Sequence, residues 1–115
     1  MIFPNDDNGE VLRRMFEGGD SLQQAREIEF AHSFRDGLTA EAFAAQVVGL
    51  GLDVNIEDVE DRPETPWDVI VTVTMKPDHT AISELEQRFA YLAEQLGGQA
   101  DGWGCFHVVD RATSD

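Results

Sequence analysis

Pro66-Trp67-Asp68-Val69-Ile70-Val71-Thr72-Val73-Thr74-Met75-Lys76 runs through Pro77-Asp78-His79 into a second pattern that ends at Gly97-Gly98. In the first half Trp67, Val69, Val71, Val73 and Met75 share one face, and Asp68, Ile70, Thr72 and Thr74 share the other. That alternation, dense in β-branched residues, predicts a strand over about residues 67–76. In the second half Ile82, Leu85, Phe89, Leu92 and Leu96 recur at 3-4-3-4 spacing, which predicts a long helix capped by Asp78 or Thr80 and ended by the glycine pair. A strand leading directly into a helix with an apolar stripe points to a sheet with helices laid on it.

Outward from this unit the same two periods recur. Downstream, residues Trp103 to Asp110 suit a final strand, with Gly102 and Gly104 on either side of Trp103 implying a tight or bulged start. Upstream, Glu57 to Glu64 forms an acidic connection interrupted by Pro63, with Pro66 just beyond it, and reads as an exposed hairpin loop. Before it, Leu52, Val54 and Ile56 alternate with Asp53, Asn55 and Glu57 as a strand. Thr39 is placed to cap a helix whose inward stripe is Ala40, Phe43, Ala44, Val47 and Leu50. From Arg26 a further strand sets Ile28, Phe30, His32 and Phe34 against Glu27, Glu29 and Ser33. The Asp7-x-x-Glu10 box and Leu12, Met15 and Phe16 predict a first helix over about residues 6–17, stopped by Gly18-Gly19.

After that first helix the order is strand, helix, strand, strand, helix, strand. The expected fold is therefore α+β and ferredoxin-like, a split βαβ arrangement with a four-stranded antiparallel sheet and two helices on one face. The extra N-terminal helix has to pack on whatever remains open. Residues 1–115 read as one domain, since no repeat, linker or low-complexity tract divides them.

Composition narrows the function. Eight Lys+Arg against 23 Asp+Glu give a formal charge of −15, so a phosphate backbone or an anionic membrane surface is repelled and a basic protein segment attracted. With 42% hydrophobic residues the chain can still fold around a core. Met1 to Asp7 carries neither a basic nor an apolar targeting region, no window approaches the ~18 apolar residues of a membrane span, and Cys105 has no partner for a disulfide. A cytoplasmic protein is expected.

Few residues suit catalysis. Cys105 and His107 are two apart in the expected last strand, on one face but roughly 7 Å from each other, with no third group to orient the imidazole. His32, His79 and His107 show no metal-ligand spacing. Asp68 fits a turn cap beside Pro66, and Trp103 fits a core or lid aromatic better than a ligand platform. Gly97-Gly98 and Gly102-x-Gly104 match no phosphate-binding loop. No catalytic residue, metal or cofactor is expected. The acidic residues Asp53, Glu57, Asp58, Glu60, Asp61 and Glu64 form either a docking surface for an Arg/Lys-rich peptide or a solubilising face.

Taken together, Phe3-Pro4-x-Asp6, Arg26-Glu27-Ile28-Glu29-Phe30, Pro66-Trp67-Asp68-Val69, Met75-x-Pro77-x-His79-x-x-Ile82 and Gly97-Gly98-x-Ala100-Asp101-Gly102-Trp103-Gly104-Cys105 resemble the RraB family, regulators of ribonuclease E activity. Trp67, Asp68, His79, Gly102, Trp103, Gly104 and Cys105 carry most of that resemblance. It implies a ferredoxin-like fold and a non-catalytic protein that binds the endoribonuclease at a basic region and dampens RNA decay. No direct nucleic-acid contact or cofactor is implied. Two other readings stand beside it. One is a small-molecule-binding or enzymatic ferredoxin-like domain with a pocket near Trp67, Trp103, Cys105 and His79. The other is a structural module whose exposed sheet face makes a homodimer.

Overall fold

The computed structural model describes residues 3–59 and 62–105. Its elements are α1 (Asp7–Glu17), β1 (Arg26–Phe34), α2 (Gly37–Gly49), β2 (Asp53–Asp58), β3 (Trp67–Met75), α3 (His79–Glu94) and β4 (Gln99–Cys105). The strands form one sheet in the order β2-β3-β1-β4, each neighbouring pair antiparallel. That is the ferredoxin-like arrangement expected from the order of patterns.

β1 and β3 occupy the middle because they carry the heaviest apolar alternation. Ile28, Phe30, His32 and Phe34 of β1 and Val69 and Val71 of β3 are buried, under Phe43 and Val47 of α2 and Ile82 and Phe89 of α3. Phe30 meets Phe89 edge-on at 5.3 Å, and Phe34 meets Phe43 at 5.2 Å. Each such ring contributes on the order of 1.5–3 kcal/mol by leaving water. At the start of β1 the core is closed by a buried ion pair between Arg26 and Asp20, whose side chains are 5% and 1% exposed. Arg26 also donates to the Gln24 carbonyl, and Asp20 accepts from the Leu22 amide at 2.9 Å, so neither charge is left bare.

All three helices start on an aspartate. Asp6 accepts from the Gly9 amide at 2.8 Å, Asp36 from the Thr39 amide at 2.8 Å, and Asp78 from the Ala81 amide at 2.9 Å. Asp36 thus displaces Thr39 as the cap of α2. The aspartate carboxylate reaches the amide three residues on, and Thr39 is drawn inside the first turn, where its hydroxyl also binds Asp36. Leu50, expected in the buried stripe, is 46% exposed, because the helix has ended at Gly49 and the 3.6-residue phase no longer governs the next side chain.

β4 begins at Gln99, four residues before the expected strand; the rest of that expectation, residues 106–110, lies outside the described residues. The early part was masked by its polar sequence and by a bulge opposite Ala31/His32 that lets Asp101 break the alternation. Gly98 sits between α3 and β4, where a Cβ would come within 2.3 Å of the Phe34 ring, so only glycine lets the chain turn this close to the core. α1 joins the helix layer beside α3 through Leu12 and Met15, and no helix among the described residues covers the far face of the sheet.

Candidate functional site

Alternation divides the residues of interest between the two faces of the sheet. Trp103 pairs with Phe30 and Cys105 with Ile28, which puts both on the helix side. There the Trp103 Nε1–H donates to Asn8 Oδ1 at 2.8 Å, while the Asn8 amide donates to Ser83 Oγ and Glu86 Oε1 at 3.0 Å each. His79 Nε2 lies 2.9 Å from both carboxylate oxygens of Asp6. The Gly9 amide and then His79 hold the Asp6 carboxyl below its ordinary range. These contacts tie the first turn of α1 to α3 and β4. Trp67, on the same side, is half-buried against the core and faces Gly37.

Among the described residues, the helix side activates neither Cys105 nor His32. Burial pushes the Cys105 thiol up, with Arg26 only partly opposing it, which is the opposite of what a nucleophile needs. His32 is buried between Phe43 and Phe89, with Nδ1 3.4 Å from the Val69 carbonyl oxygen; desolvation lowers its pKa. His107 lies outside the described residues. No cluster of three His, Cys, Asp or Glu side chains suits a metal among the described residues. A cleft of about 310 Å³ is lined by Phe3, Pro4, Leu12, Lys76 and His79, and not by Trp67, Trp103 or Cys105.

The open face is built from register. Residues directly opposite in antiparallel strands point the same way. Thus Glu27, Glu29, Ala31 and Ser33 of β1 stand with Thr74, Thr72, Ile70 and Asp68 of β3. Asp53, Asn55 and Glu57 of β2 extend the face on one side, and Gly104, Gly102 and Gln99 of β4 extend it on the other. Every charged strand residue on it is a carboxylate: Glu27, Glu29, Asp53, Glu57 and Asp68. Asn55 donates to Glu57 Oε2 at 2.9 Å. Arg62, from the β2–β3 connection, donates through Nη2 to Asp68 Oδ1. That hydrogen bond, then the charges of Asp68 and Asp101, raise the Arg62 pKa.

Of the expected acidic segment, Asp53 and Glu57 belong to β2 as expected, β2 runs on to take in Asp58, Glu64 is exposed in the connection, and Glu60 and Asp61 lie outside the described residues. In the sequence, Glu27 and Glu29 mark no more than one face of a single strand. The signal that could have joined them to Asp53, Glu57 and Asp68 is the period-two alternation of three strands, but combining the strands requires the register. Gly102, with φ of 116°, and Gly104 put no side chain on this face, and a Cβ at either would meet nothing within 4 Å. Beside them Glu27, Glu29, Gly104 and Cys105 line a cleft of about 200 Å³. No helix among the described residues is long and apolar enough to cross a membrane.

A family model described as "Regulator of ribonuclease activity B" matches residues 5–105. No curated protein matches the chain.

Proposed function

The chain belongs to the RraB family of regulators of ribonuclease activity, and from that membership we propose that it regulates by binding a ribonuclease of the ribonuclease E type through its acidic exterior, with no chemistry of its own. The observation that carries this reading is the open sheet face, where Glu27, Glu29, Asp53, Glu57 and Asp68 gather on one surface of a chain with a formal charge of −15. A surface of one sign raises the encounter rate with a basic segment and repels RNA. A basic segment held here is withdrawn from RNA, which makes the regulation inhibitory. The reading implies a cytoplasmic protein.

Binding of the purified protein to the ribonuclease, measured by calorimetry between 0.05 and 0.5 M salt as the screening length shrinks to a few ångströms, tests the reading. Affinity is expected to fall by roughly tenfold or more across that range, with RNA cleavage restored in parallel. Affinity independent of salt would overturn the charge-driven reading. Absence of binding at the lowest salt would overturn the ribonuclease reading itself.

A further inference from the structure

Arg62 is a cation held against the open sheet face by Asp68, and it sits there poorly. A single nitrogen, Nη2, meets a single oxygen, Oδ1 of Asp68, although a guanidinium and a carboxylate can pair through two parallel hydrogen bonds. Arg62 Nε is buried without a hydrogen-bond partner. So is Ser33 Oγ, on a residue 1% exposed that stands directly opposite Asp68 in β1 and opposite Gln99 in β4. One end of the face thus holds a carboxylate with an unused oxygen, a hydroxyl with no partner and a guanidinium whose Nε donates to nothing.

From this slot the face runs along β1 past Ala31 to Glu29 and Glu27, beside Gly102 and Gly104 on β4 and the cleft of about 200 Å³. Six residues of strand cover roughly 20 Å. An extended peptide of about six residues spans that distance and presents alternate side chains to the sheet. We propose that this face is an arginine-binding trough for an extended, arginine-rich segment of the partner, and that Arg62 is its internal stand-in, displaced from Asp68 when a partner arginine pairs both carboxylate oxygens and reaches Ser33. The inference rests on the ribonuclease-binding reading and deepens it by naming the partner's chemistry and a built-in competitor.

Titration of the full chain with octa-arginine and octalysine peptides at low salt tests it, using wild type, Arg62→Ala, Arg62→Gln, Asp68→Asn and the Arg62→Ala/Asp68→Asn pair. Both Arg62 variants are expected to bind octa-arginine about 3- to 10-fold tighter than wild type, with a smaller gain for octalysine, whose ammonium groups cannot pair bidentately. Asp68→Asn is expected to weaken octa-arginine binding about 10-fold and to cancel the gain in the double variant. Equal gains for the two peptides would reduce the effect to one lost positive charge and overturn the slot. Unchanged or weaker binding by both Arg62 variants, with melting temperatures like wild type, would overturn it as well. So would a dimer in sedimentation whose strength follows the Arg62 variants, since a second copy would then occupy the face. The ribonuclease is titrated in parallel. Binding that ignores Arg62 and Asp68 removes the trough and leaves the regulator reading; the peptide pattern without ribonuclease binding removes the regulator reading and leaves the trough.

Discussion

The two faces of this sheet are written by the same strands, one residue out of step, and their chemistries are opposite. In β1, Ile28, Phe30 and His32 lie under the helices with exposures of 0–1%, while Glu27 and Glu29 stand in solvent. The helix side binds the molecule to itself: Trp103, Asn8, Ser83, Asp6 and His79 connect segments far apart in the chain. Among the described residues the open side carries only short local contacts, Arg62 on Asp68, Asn55 on Glu57 and Gln99 on Asp101. Family signatures therefore do not mark one functional patch. His79, Trp103 and Cys105 lie on the helix side, whereas Asp68, Gly102 and Gly104 lie on the other face of the sheet.

Substitutions on adjacent residues of β1 break this contrast most directly. Phe30→Ala empties a space beside Phe89 and is expected to destabilise the fold by about 3–5 kcal/mol, read from denaturant midpoints at unchanged slope. A loss below about 1 kcal/mol would mean that the helix side is not the tightly packed one.

An intermediate effect comes from pH. His32 is buried among aromatic rings and its folded pKa lies below the ordinary value of 6.5, so the unfolded chain takes up its proton first as the solution is acidified. Its neutral form imposes no penalty above pH ~6.5, and stability is expected to fall below that, by up to about 1.4 kcal/mol per pH unit. Urea unfolding from pH 7.5 to 5, compared with His32→Leu, measures this. An equal slope in the variant would assign the pH dependence elsewhere.

The smallest effect on the fold is expected one residue from Phe30. Glu29→Gln should change stability by less than about 0.5 kcal/mol, because its carboxylate is exposed and lies outside the core. It should nevertheless weaken ribonuclease binding measurably at low salt. A stable variant with wild-type affinity would move the partner away from this part of the face.

Much of the fold was legible because its longest patterns were pure. β3 and α3 could be recognised from Val69-Ile70-Val71-Thr72-Val73 and from the Ile82, Leu85, Phe89 spacing, since burial on one side of a regular element imposes its period on the sequence. Legibility failed where a short-range polar contact or a bulge outweighed the pattern, as at Asp36 and at Gln99 to Asp101. Of the candidate surface, Asp53 and Glu57 were visible as part of a charge run. Glu27 and Glu29 lay about 25 residues away in sequence and joined them only through β3.

The chain's residue order alone determined which segments become strands and helices, their succession, and the sign of the protein's charge, because these follow from local periodicity and simple addition. Only the folded molecule decided that α1 would settle beside α3 on the helix side of the sheet, that Asn8 would meet Trp103 across 95 positions, and that Arg62 would lie on Asp68. Register converts separate alternations into a shared surface. It is set by the packing of all four strands against one core, and no single stretch of sequence contains it.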